Sequence, residues 1–274
     1  MAAQGGAPAT ELDDVAFVSG RTRLFGIVGH PIEQVRSPEM FTAEFQRRGV
    51  NAIMLPVHVL PEAFDEVLPR LMQVQNLDGL IFTIPFKARA CALAGALGPQ
   101  AALVGAVNAL ARGADGRWRA DIFDGIGCVE AFRRRGHLFA GKRVMLIGAG
   151  GAIGVAFAHE RPAAMRLFDL DEARVSDLAG KIRRVDGGIE VEVGAPSVEG
   201  MDILLNASPV GMLADARLPI EVERLPGDLI VFDAIVKPDR TPLLQLAESC
   251  GCRTVYGREM MRGQISKMTD YFGL

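Results

Sequence analysis

The 274-residue sequence has few cysteines, no marked excess of charge of either sign and no long hydrophobic run. Its formal net charge of −3 gives no reason to expect nucleic acid or an anionic membrane as a partner, so a small molecule is the expected ligand. No apolar run reaches the roughly 20 residues that a membrane-spanning helix needs. The N-terminal residues also lack the basic start and apolar stretch of a signal peptide. These absences predict a cytoplasmic protein that binds neither nucleic acid nor membrane.

The four cysteines are Cys91, Cys128, Cys250 and Cys252. They are too few for a disulfide scaffold in a chain of this length. Only the last two are close in sequence, and they have no neighbouring histidine or second cysteine pair, which a zinc site would need. We therefore expect free thiols, a reducing compartment and no bound metal.

Short β-rich runs alternate with segments of helical spacing from Leu24 onward. The run LFGIVG precedes a helix with Ser37 as its cap and Pro38 as its first residue, and GLIFTIP precedes a helix from Phe86. Such alternation predicts parallel strands with helices on the faces of the sheet. The segments AVNALAR and RWRAD flank a GADG turn and predict a hairpin. Because the alternation restarts at KRVMLIG, the sequence predicts an α/β protein of two units of about 120 to 130 residues.

The segment VMLIGAGGAIG joins an apolar strand to a helix and contains four glycines: Gly148, Gly150, Gly151 and Gly154. Glycines there let the chain turn sharply and bring backbone N–H groups close to a pyrophosphate. The spacing is G-x-G-G-x-x-G, so Ile153 stands where the strict G-x-G-x-x-G pattern has a glycine. The next strand ends in Asp169, where a carboxylate can accept both ribose hydroxyls. A dinucleotide site is predicted, with a glycine turn made only for packing as the alternative.

Asp169 also bears on the choice between NAD and NADP. Its carboxylate would repel the 2′-phosphate of NADP, where NADP-binding proteins usually offer an arginine. Arg166 and Arg174 are near in sequence, but one lies in the predicted strand and the other in the following helix. Asp171 is more simply the N-cap of that helix. NAD is therefore the expected cofactor.

Polar residues of the first unit concentrate in the segments TIPFK, GAVNAL and DIFDGIG. Lys87 is predicted to begin a helix directly after an apolar strand, where the helix N-terminus and partial burial both disfavour the ammonium form. Such a lysine can exchange a proton with a substrate hydroxyl, and Asp124, at the junction of the two units, can hold it by an ion pair. From spacing alone, a surface lysine and a helix-capping aspartate remain the alternative.

Seven segments occur in the order and at the intervals of the shikimate dehydrogenase family: GHPI…RSP, TIPFK, GAVNAL, DGIG, GAGGA, NASPVGM and GREMMRGQ. The chain resembles this family over nearly its whole length from Leu24. The resemblance implies an N-terminal α/β substrate-binding domain, residues 1–123 with 258–274, and a Rossmann-type parallel-sheet domain that binds the dinucleotide, residues 124–257. Residues 1–22 are expected to form a flexible tail. The implied reaction is reversible hydride transfer between a nicotinamide cofactor and a ring hydroxyl or ketone, as in 3-dehydroshikimate to shikimate.

The resemblance also assigns roles to single residues. Lys87 and Asp124 match the family's catalytic pair, which replaces the surface-lysine interpretation. The substrate-binding residues that it implies are Ser37, Thr83, Asn108 and Gln264. The cofactor-binding residues are Gly148, Ala149, Gly150, Gly151, Ala152, Asp169, Ser208, Ala234, Ile235 and Gly257. Of these, Ser208, Ala234 and Ile235 fall where the family lines the nicotinamide pocket.

Several polar positions of the family pattern are apolar in this chain. Val35 replaces the first serine of S-x-S-P, and Ile81 replaces an asparagine. Ile122 and Phe123 replace the Asn-Thr before the catalytic aspartate, and Val236 replaces a tyrosine. An unpaired buried polar group costs about 1 to 3 kcal/mol, so shikimate would be poorly paired in such a pocket. We expect retained chemistry on a less polar or differently substituted cyclic hydroxy acid or ketone.

Two other functions remain open at the level of sequence. One is an NAD-binding sensor or regulatory module without turnover, which the retention of Lys87 and Asp124 argues against. The other is an ordinary NADP-dependent shikimate dehydrogenase that tolerates the replacements. A homodimer is compatible with either, since dimers are common among small two-domain enzymes.

Overall fold

The computed structural model of the protein describes residues 18–274. The predicted flexible tail spans residues 1–22, and its residues 1–17 lie outside the described residues. The last residues of that tail are ordered against the protein, because Thr22 is 2% exposed and its hydroxyl donates a hydrogen bond to Asn51 Oδ1 at 2.8 Å. The prediction of a flexible tail is therefore wrong at Thr22.

The N-terminal half forms a six-stranded mixed sheet. Its strands are β1 (Arg23–Gly29), β2 (Ala52–His58), β3 (Leu77–Phe82), β4 (Ala96–Leu97), β5 (Ala109–Arg112) and β6 (Trp118–Asp121). They are arranged in the order β2-β1-β3-β5-β6-β4. β1 runs parallel to β2 and β3, whereas β5 runs antiparallel to both β3 and β6. The hairpin is confirmed, but the prediction of a parallel sheet holds only for β1 to β3 and for the pairing of β4 with β6, because β5 runs antiparallel to both of its neighbours.

Three α-helices belong to this half: α1 (Ser37–Arg47), α2 (Phe64–Leu71) and α3 (Pro99–Val104). Arg36 occupies the N-cap of α1, and the Ser37 side chain makes no capping hydrogen bond, so its predicted role as cap is wrong by one position. The helix predicted from Phe86 is also absent. A turn closed by the Phe86 N–H and the Thr83 carbonyl, 2.9 Å apart, leads instead into a short 3-10 helix, Arg89–Leu93. The helix-terminus argument for Lys87 is therefore wrong.

The second sheet is entirely parallel. Its strands are β7 (Arg143–Ile147), β8 (Ala164–Phe168), β9 (Glu190–Val193), β10 (Ile203–Asn206), β11 (Ile230–Asp233) and β12 (Arg253–Tyr256). The order β12-β11-β10-β7-β8-β9 is that of doubly wound dinucleotide-binding sheets. The helices α5 (Ala152–Ala158), α6 (Glu172–Val185) and α7 (Pro242–Ser249) connect the strands. The Rossmann-type parallel sheet is confirmed, and its order reverses between β7 and β10, where such sheets bind ligands.

Two helices join the halves: α4 (Asp124–Arg134) and α8 (Gly257–Tyr271). They pack closely through glycines, because a Cβ atom on Gly263 would lie 2.5 Å from the Gly127 carbonyl oxygen. Beyond α8, the Phe272 ring packs on the Phe25 ring of β1, with centroids 5.0 Å apart. The last helix therefore folds back on the first half, in agreement with the expectation that residues 258–274 belong with the N-terminal domain. Within residues 18–274, no helix is both long and apolar enough to cross a membrane.

Candidate active site

A cleft of about 740 Å³ lies between the two halves. Its walls come from the turn after β3, the start of α4, the glycine loop after β7 and the loops after β10 and β11. Most of the predicted site residues line it: Ser37, Thr83, Lys87, Asn108, Asp124, Gln264, Ala149, Gly150, Gly151, Ala152, Ser208, Ala234 and Ile235. Residues far apart in the sequence are thus brought together in one cleft.

The Lys87 ammonium and the Asp124 carboxylate form an ion pair in this cleft. Lys87 Nζ lies 2.6 Å from Asp124 Oδ2, with 34% and 15% of the two side chains exposed. Asp124 is the first residue of α4 and Phe123 is its N-cap, so the alternative of a capping aspartate is wrong. The Lys87 carbonyl accepts a hydrogen bond from the Val107 N–H at 2.9 Å, which holds the turn against the strand segment before β5. The pair is fixed in position and open to a ligand.

Asn108 and Gln264 form a second polar group. Asn108 is 4% exposed, and its Oδ1 accepts the Phe123 N–H at 2.9 Å. Its Nδ2 donates to Gln264 Oε1 at 3.2 Å, which links the hairpin strand to α8. Since the oxygen of Gln264 is engaged, its amide nitrogen remains as a donor in the cleft.

Ser37 and the predicted apolar positions also face the cleft. Ser37 is 7% exposed. Within residues 18–274, no residue forms a hydrogen bond with its hydroxyl. Apolar side chains line the cleft at four of the five positions where the family pattern is polar: Val35, Ile81, Ile122 and Val236. Phe123, which was expected there too, packs on Tyr271 with ring centroids 5.2 Å apart. Its placement in the pocket is wrong, because Phe123 turns away from the cleft that its neighbour Ile122 lines.

Four methionines in the cleft were missed by the sequence analysis: Met212, Met260, Met261 and Met268. Met260 and Met268 lie four residues before and after Gln264 on α8, so the helical period places them on the same face. The helical period around Gln264, together with the predicted role of that residue, held this signal. Met212 ends the NASPVGM segment, in the loop after β10, but the spacing of that segment does not show that its side chain lines the cleft. Flexible thioether side chains give this wall of the cleft an adaptable apolar surface.

The glycine loop is shaped by close backbone approach. Gly148 has φ +95°, and a Cβ atom there would lie 2.7 Å from the Ala207 carbonyl carbon. Gly150 faces open space, and Gly151 has φ +58°. The N–H groups of Gly150 and Gly151 have no hydrogen-bond partner in the described part of the chain. The absence of a side chain at Gly148 therefore lets the loop pack against Ala207, and the next two glycines present N–H donors to the cleft.

Asp169 lies beside this loop and outside the lining of the cleft. Its Oδ2 accepts the Ala149 N–H at 2.6 Å, and its Oδ1 accepts the Asp171 N–H at 3.0 Å. Asp171 caps α6, as predicted, by accepting the N–H groups of Ala173 and Arg174. Asp169 thus ties the end of β8 to the glycine loop.

The two nearby arginines are each paired with a carboxylate. Arg166 lies 2.9 Å from Glu192 on β9, and Arg174, which lines the cleft, lies 3.3 Å from Asp171. Both guanidinium groups therefore already have a carboxylate partner. The predicted Gly257 does not line the cleft either, because it packs beneath Ile235, whose carbonyl oxygen a Cβ atom at that position would overlap.

Comparisons with known proteins agree with this arrangement. The family model described as shikimate dehydrogenase substrate binding domain matches residues 27–110. The shikimate dehydrogenase (NADP+) of Anaeromyxobacter sp. (strain K) is 34% identical over 252 residues, which cover 89% of this chain and 88% of that protein. The chain belongs to the shikimate dehydrogenase family. Membership confirms the prediction of an NAD(P)-dependent dehydrogenase that acts on a CH–OH group.

Solved structures of the shikimate dehydrogenase family share the fold. Shikimate 5-dehydrogenase from Listeria monocytogenes, in complex with shikimate and NAD, is 28% identical, with 93% of each chain covered and a TM-score of 0.83. Quinate dehydrogenase from Corynebacterium glutamicum, in complex with NAD, is 26% identical, with 92% of this chain and 94% of that chain covered and a TM-score of 0.81. The predicted α/β fold with two domains is confirmed. The prediction of a nicotinamide dinucleotide is confirmed, with NADP+ in the name of the curated relative and NAD in these two structures.

Proposed function

We propose that the protein transfers hydride reversibly between a nicotinamide cofactor and the ring hydroxyl or ketone of a cyclic hydroxy acid less polar than shikimate. The observation that carries this proposal is the Lys87–Asp124 pair, at 2.6 Å, in a cleft whose remaining wall is largely apolar. A lysine in such a pair can give a proton to, or take one from, the oxygen of a ligand bound beside it. The retained pair argues against a sensor or regulatory module without turnover.

The geometry of the glycine loop fits a dinucleotide. The N–H groups of Gly150 and Gly151 are available for a pyrophosphate, and the absence of a side chain at Gly148 lets the loop approach Ala207. We assign the adenosine ribose to Asp169. The nicotinamide is assigned to the wall formed by Ser208, Ala234 and Ile235, above Gly257. When bound, the cofactor supplies the hydride-transfer chemistry.

The residues of the chain itself bind the substrate and move the proton. Lys87 Nζ gives a proton to, or takes one from, the reacting oxygen of the substrate. Asp124 Oδ2 accepts a hydrogen bond from the ammonium and so holds Nζ in place. The polar groups of the substrate are assigned to Ser37, Thr83, Asn108 and Gln264, which line the cleft around the pair.

We propose NAD as the preferred cofactor. The Asp169 carboxylate disfavours a 2′-phosphate, and both nearby arginines are already paired with carboxylates. The curated relatives from Anaeromyxobacter and Rubrobacter xylanophilus are named for NADP+, whereas the structures from Listeria and Corynebacterium hold NAD. The preference therefore needs its own measurement.

An ordinary shikimate dehydrogenase is the second candidate. It is favoured by the names of the relatives that are more than 30% identical and by the polar residues retained in the cleft. It is opposed by the apolar side chains at Val35, Ile81, Ile122 and Val236, which would leave polar groups of shikimate unpaired.

Initial rates decide between these candidates. Reduction of NAD+ and NADP+ is measured with shikimate, quinate and a panel of less polar cyclic hydroxy acids. With NAD+ as cofactor, we expect kcat/KM for a less polar acid to exceed kcat/KM for shikimate by about 10-fold or more, because unpaired polar groups weaken shikimate binding. Val35→Ser should reduce that difference, whereas Val67→Ser, on the exposed face of α2, should leave it unchanged.

Rapid turnover of shikimate with NADP+ would show an ordinary shikimate dehydrogenase. If no acid on the panel reduced either dinucleotide while the protein still bound them, the sensor function would be favoured instead.

We also propose the domain boundaries given by the sequence, residues 1–123 with 258–274 and residues 124–257, which the separate sheets support. The four free cysteines support a reducing, cytoplasmic setting. A homodimer is proposed on general grounds, and light scattering tests it.

A further inference from the structure

A buried polar network lies behind the nicotinamide wall of the cleft. Asp233, the last residue of β11, is fully buried. Its Oδ1 accepts the Ile235 N–H at 3.1 Å and Asn206 Nδ2 at 3.2 Å, and its Oδ2 accepts the Thr241 hydroxyl at 2.7 Å. Burial raises the pKa of the Asp233 carboxyl. The proposed chemistry makes no direct use of this titratable group, so its role requires an explanation.

The network fixes the orientation of the Asn206 side chain at the end of β10. Asn206 is fully buried, and its Nδ2 donates to both Asp233 Oδ1 and the Val210 carbonyl, each at 3.2 Å. A flipped amide would set its oxygen against these two oxygens. The Asn206 Oδ1 must therefore face the other way, where it accepts the Ser208 N–H at 3.0 Å and the Ser208 hydroxyl at 2.7 Å.

This orientation determines what Ser208 offers to a ligand. The hydroxyl hydrogen is engaged by Asn206, and Oγ also accepts the Val210 N–H at 3.3 Å. A hydroxyl has one donor and two acceptor sites, so one acceptor site remains. Because Ser208 lines the cleft, it presents a hydrogen-bond acceptor there and no donor.

We propose that Asp233 and Asn206 are positioning residues that hold Ser208 Oγ as a hydrogen-bond acceptor for the pyridine substituent of the cofactor. The inference rests on the proposed function, which places the nicotinamide beside Ser208. The carboxamide of NAD and NADP carries an N–H donor, whereas a methyl ketone at the same position carries only an acceptor. The site therefore selects dinucleotides with a donor on the pyridine ring.

The test compares the binding of two dinucleotides by calorimetry. Dissociation constants are measured for NAD+ and for 3-acetylpyridine adenine dinucleotide in the wild-type protein, Ser208→Ala and Ser208→Thr. We expect Ser208→Ala to reduce the preference for NAD+ by about 3- to 10-fold, the effect of one hydrogen bond. Ser208→Thr keeps the hydroxyl and should keep the preference. ADP-ribose, which lacks the pyridine ring, should bind all three proteins alike.

An unchanged preference in Ser208→Ala would overturn the inference while leaving the proposed function intact, because NAD+ would still bind. Failure of both ADP-ribose and NAD+ to bind the folded wild-type protein would overturn the proposed function and the inference with it. The two failures are therefore distinguishable.

Variants of the network test the positioning role. Asp233→Asn can keep an oxygen toward Ile235 and Asn206, so it should keep the preference for NAD+. Asp233→Ala releases the Asn206 amide and should lose the preference. If Asp233→Ala does not fold, Asn206→Ala makes the same test, because the Ser208 hydroxyl then loses its acceptor and is free to rotate. Retention of the preference in the folded alanine variant would contradict the positioning role.

Discussion

The proposed chemistry depends most on the side chain of Lys87. The structure places it in a turn after β3 and holds it through Asp124 and through its own backbone carbonyl. The family resemblance predicted Lys87 and its partner, but the expected helix terminus at Lys87 was wrong, because a turn stands in its place. Tertiary contacts, rather than the local helix, position this ammonium group.

Replacing Lys87 by methionine should abolish most turnover. We expect kcat to fall by about 100- to 10,000-fold, the usual contribution of general acid–base catalysis, because the reacting oxygen loses its proton partner. The dissociation constant of the dinucleotide should change by less than about 2-fold, since no contact at the glycine loop is removed. Steady-state kinetics and calorimetry measure the two effects.

The matched control is Lys267→Met, at an exposed position of α8. It should leave kcat unchanged. Full activity in Lys87→Met would refute the proton-transfer role.

At the scale of elements, the contact of α4 with α8 joins the aspartate proposed for catalysis to the glutamine proposed for substrate binding. Asp124 begins α4 and Gln264 lies in the middle of α8. Gly127 and Gly263 bring the two helix backbones together, so the spacing between these polar side chains depends on glycine. Nothing in the periodicity of these two segments shows that the helices cross at these glycines.

Gly263→Ala should force α4 and α8 apart. The new Cβ atom would lie 2.5 Å from the Gly127 carbonyl oxygen, so we expect a loss of about 1 to 3 kcal/mol in the free energy of unfolding. The KM for substrate should also rise, because Gln264 is the next residue. Urea denaturation and steady-state kinetics measure these changes.

Gly180→Ala on α6 serves as the control. Its Cβ atom would meet only the end of the Arg184 side chain, at 3.8 Å, and alanine is favoured over glycine in a helix by up to about 1 kcal/mol. Equal stability of Gly263→Ala and Gly180→Ala would show that the helix crossing tolerates a methyl group.

At the scale of the whole molecule, a lysine of the cofactor-binding half reaches the substrate-binding half. Lys181 on α6 donates from Nζ to the Val104 carbonyl oxygen at 2.8 Å, at the end of α3. The same ammonium lies 2.6 Å from Asp177, which is one helical turn away. Lys181 also lines the cleft, so its hydrogen bond to Val104 holds the two sides of the cleft together.

Lys181→Met should weaken ligand binding without impairing the chemical step. We expect KM for the dinucleotide to rise by about 2- to 10-fold, the effect of one lost hydrogen bond, with kcat unchanged. Asp177→Asn leaves the hydrogen bond to Val104 in place and removes only the charge of a carboxylate that is 59% exposed, so it should have little effect on either parameter. A fall in kcat with unchanged KM would indicate instead that Lys181 acts on the reaction itself.

Much of the candidate site could be predicted from the sequence, but its buried support could not. The motifs predicted Ser37, Asn108 and Ser208 as cleft residues, and the structure places all three in the lining. The network of Asp233 and Asn206 escaped prediction because its members are 27 positions apart and meet only when β10 and β11 pair. Phe123 was misplaced because the sequence shows that a residue is apolar, and not which way its side chain turns.

The sequence by itself determined the succession of strands and helices, the parallel sheet of the cofactor-binding half and the identity of the polar residues available for chemistry. These follow from the spacing of apolar residues and from glycine, which act between near neighbours in the chain. The tertiary structure alone decided the mixed pairing of the first sheet, the turn that holds Lys87, the packing of Phe123 outside the cleft and the direction in which Ser208 offers its hydrogen bond. Those features depend on contacts between distant segments, where packing and the pairing of buried polar groups outweigh local preference.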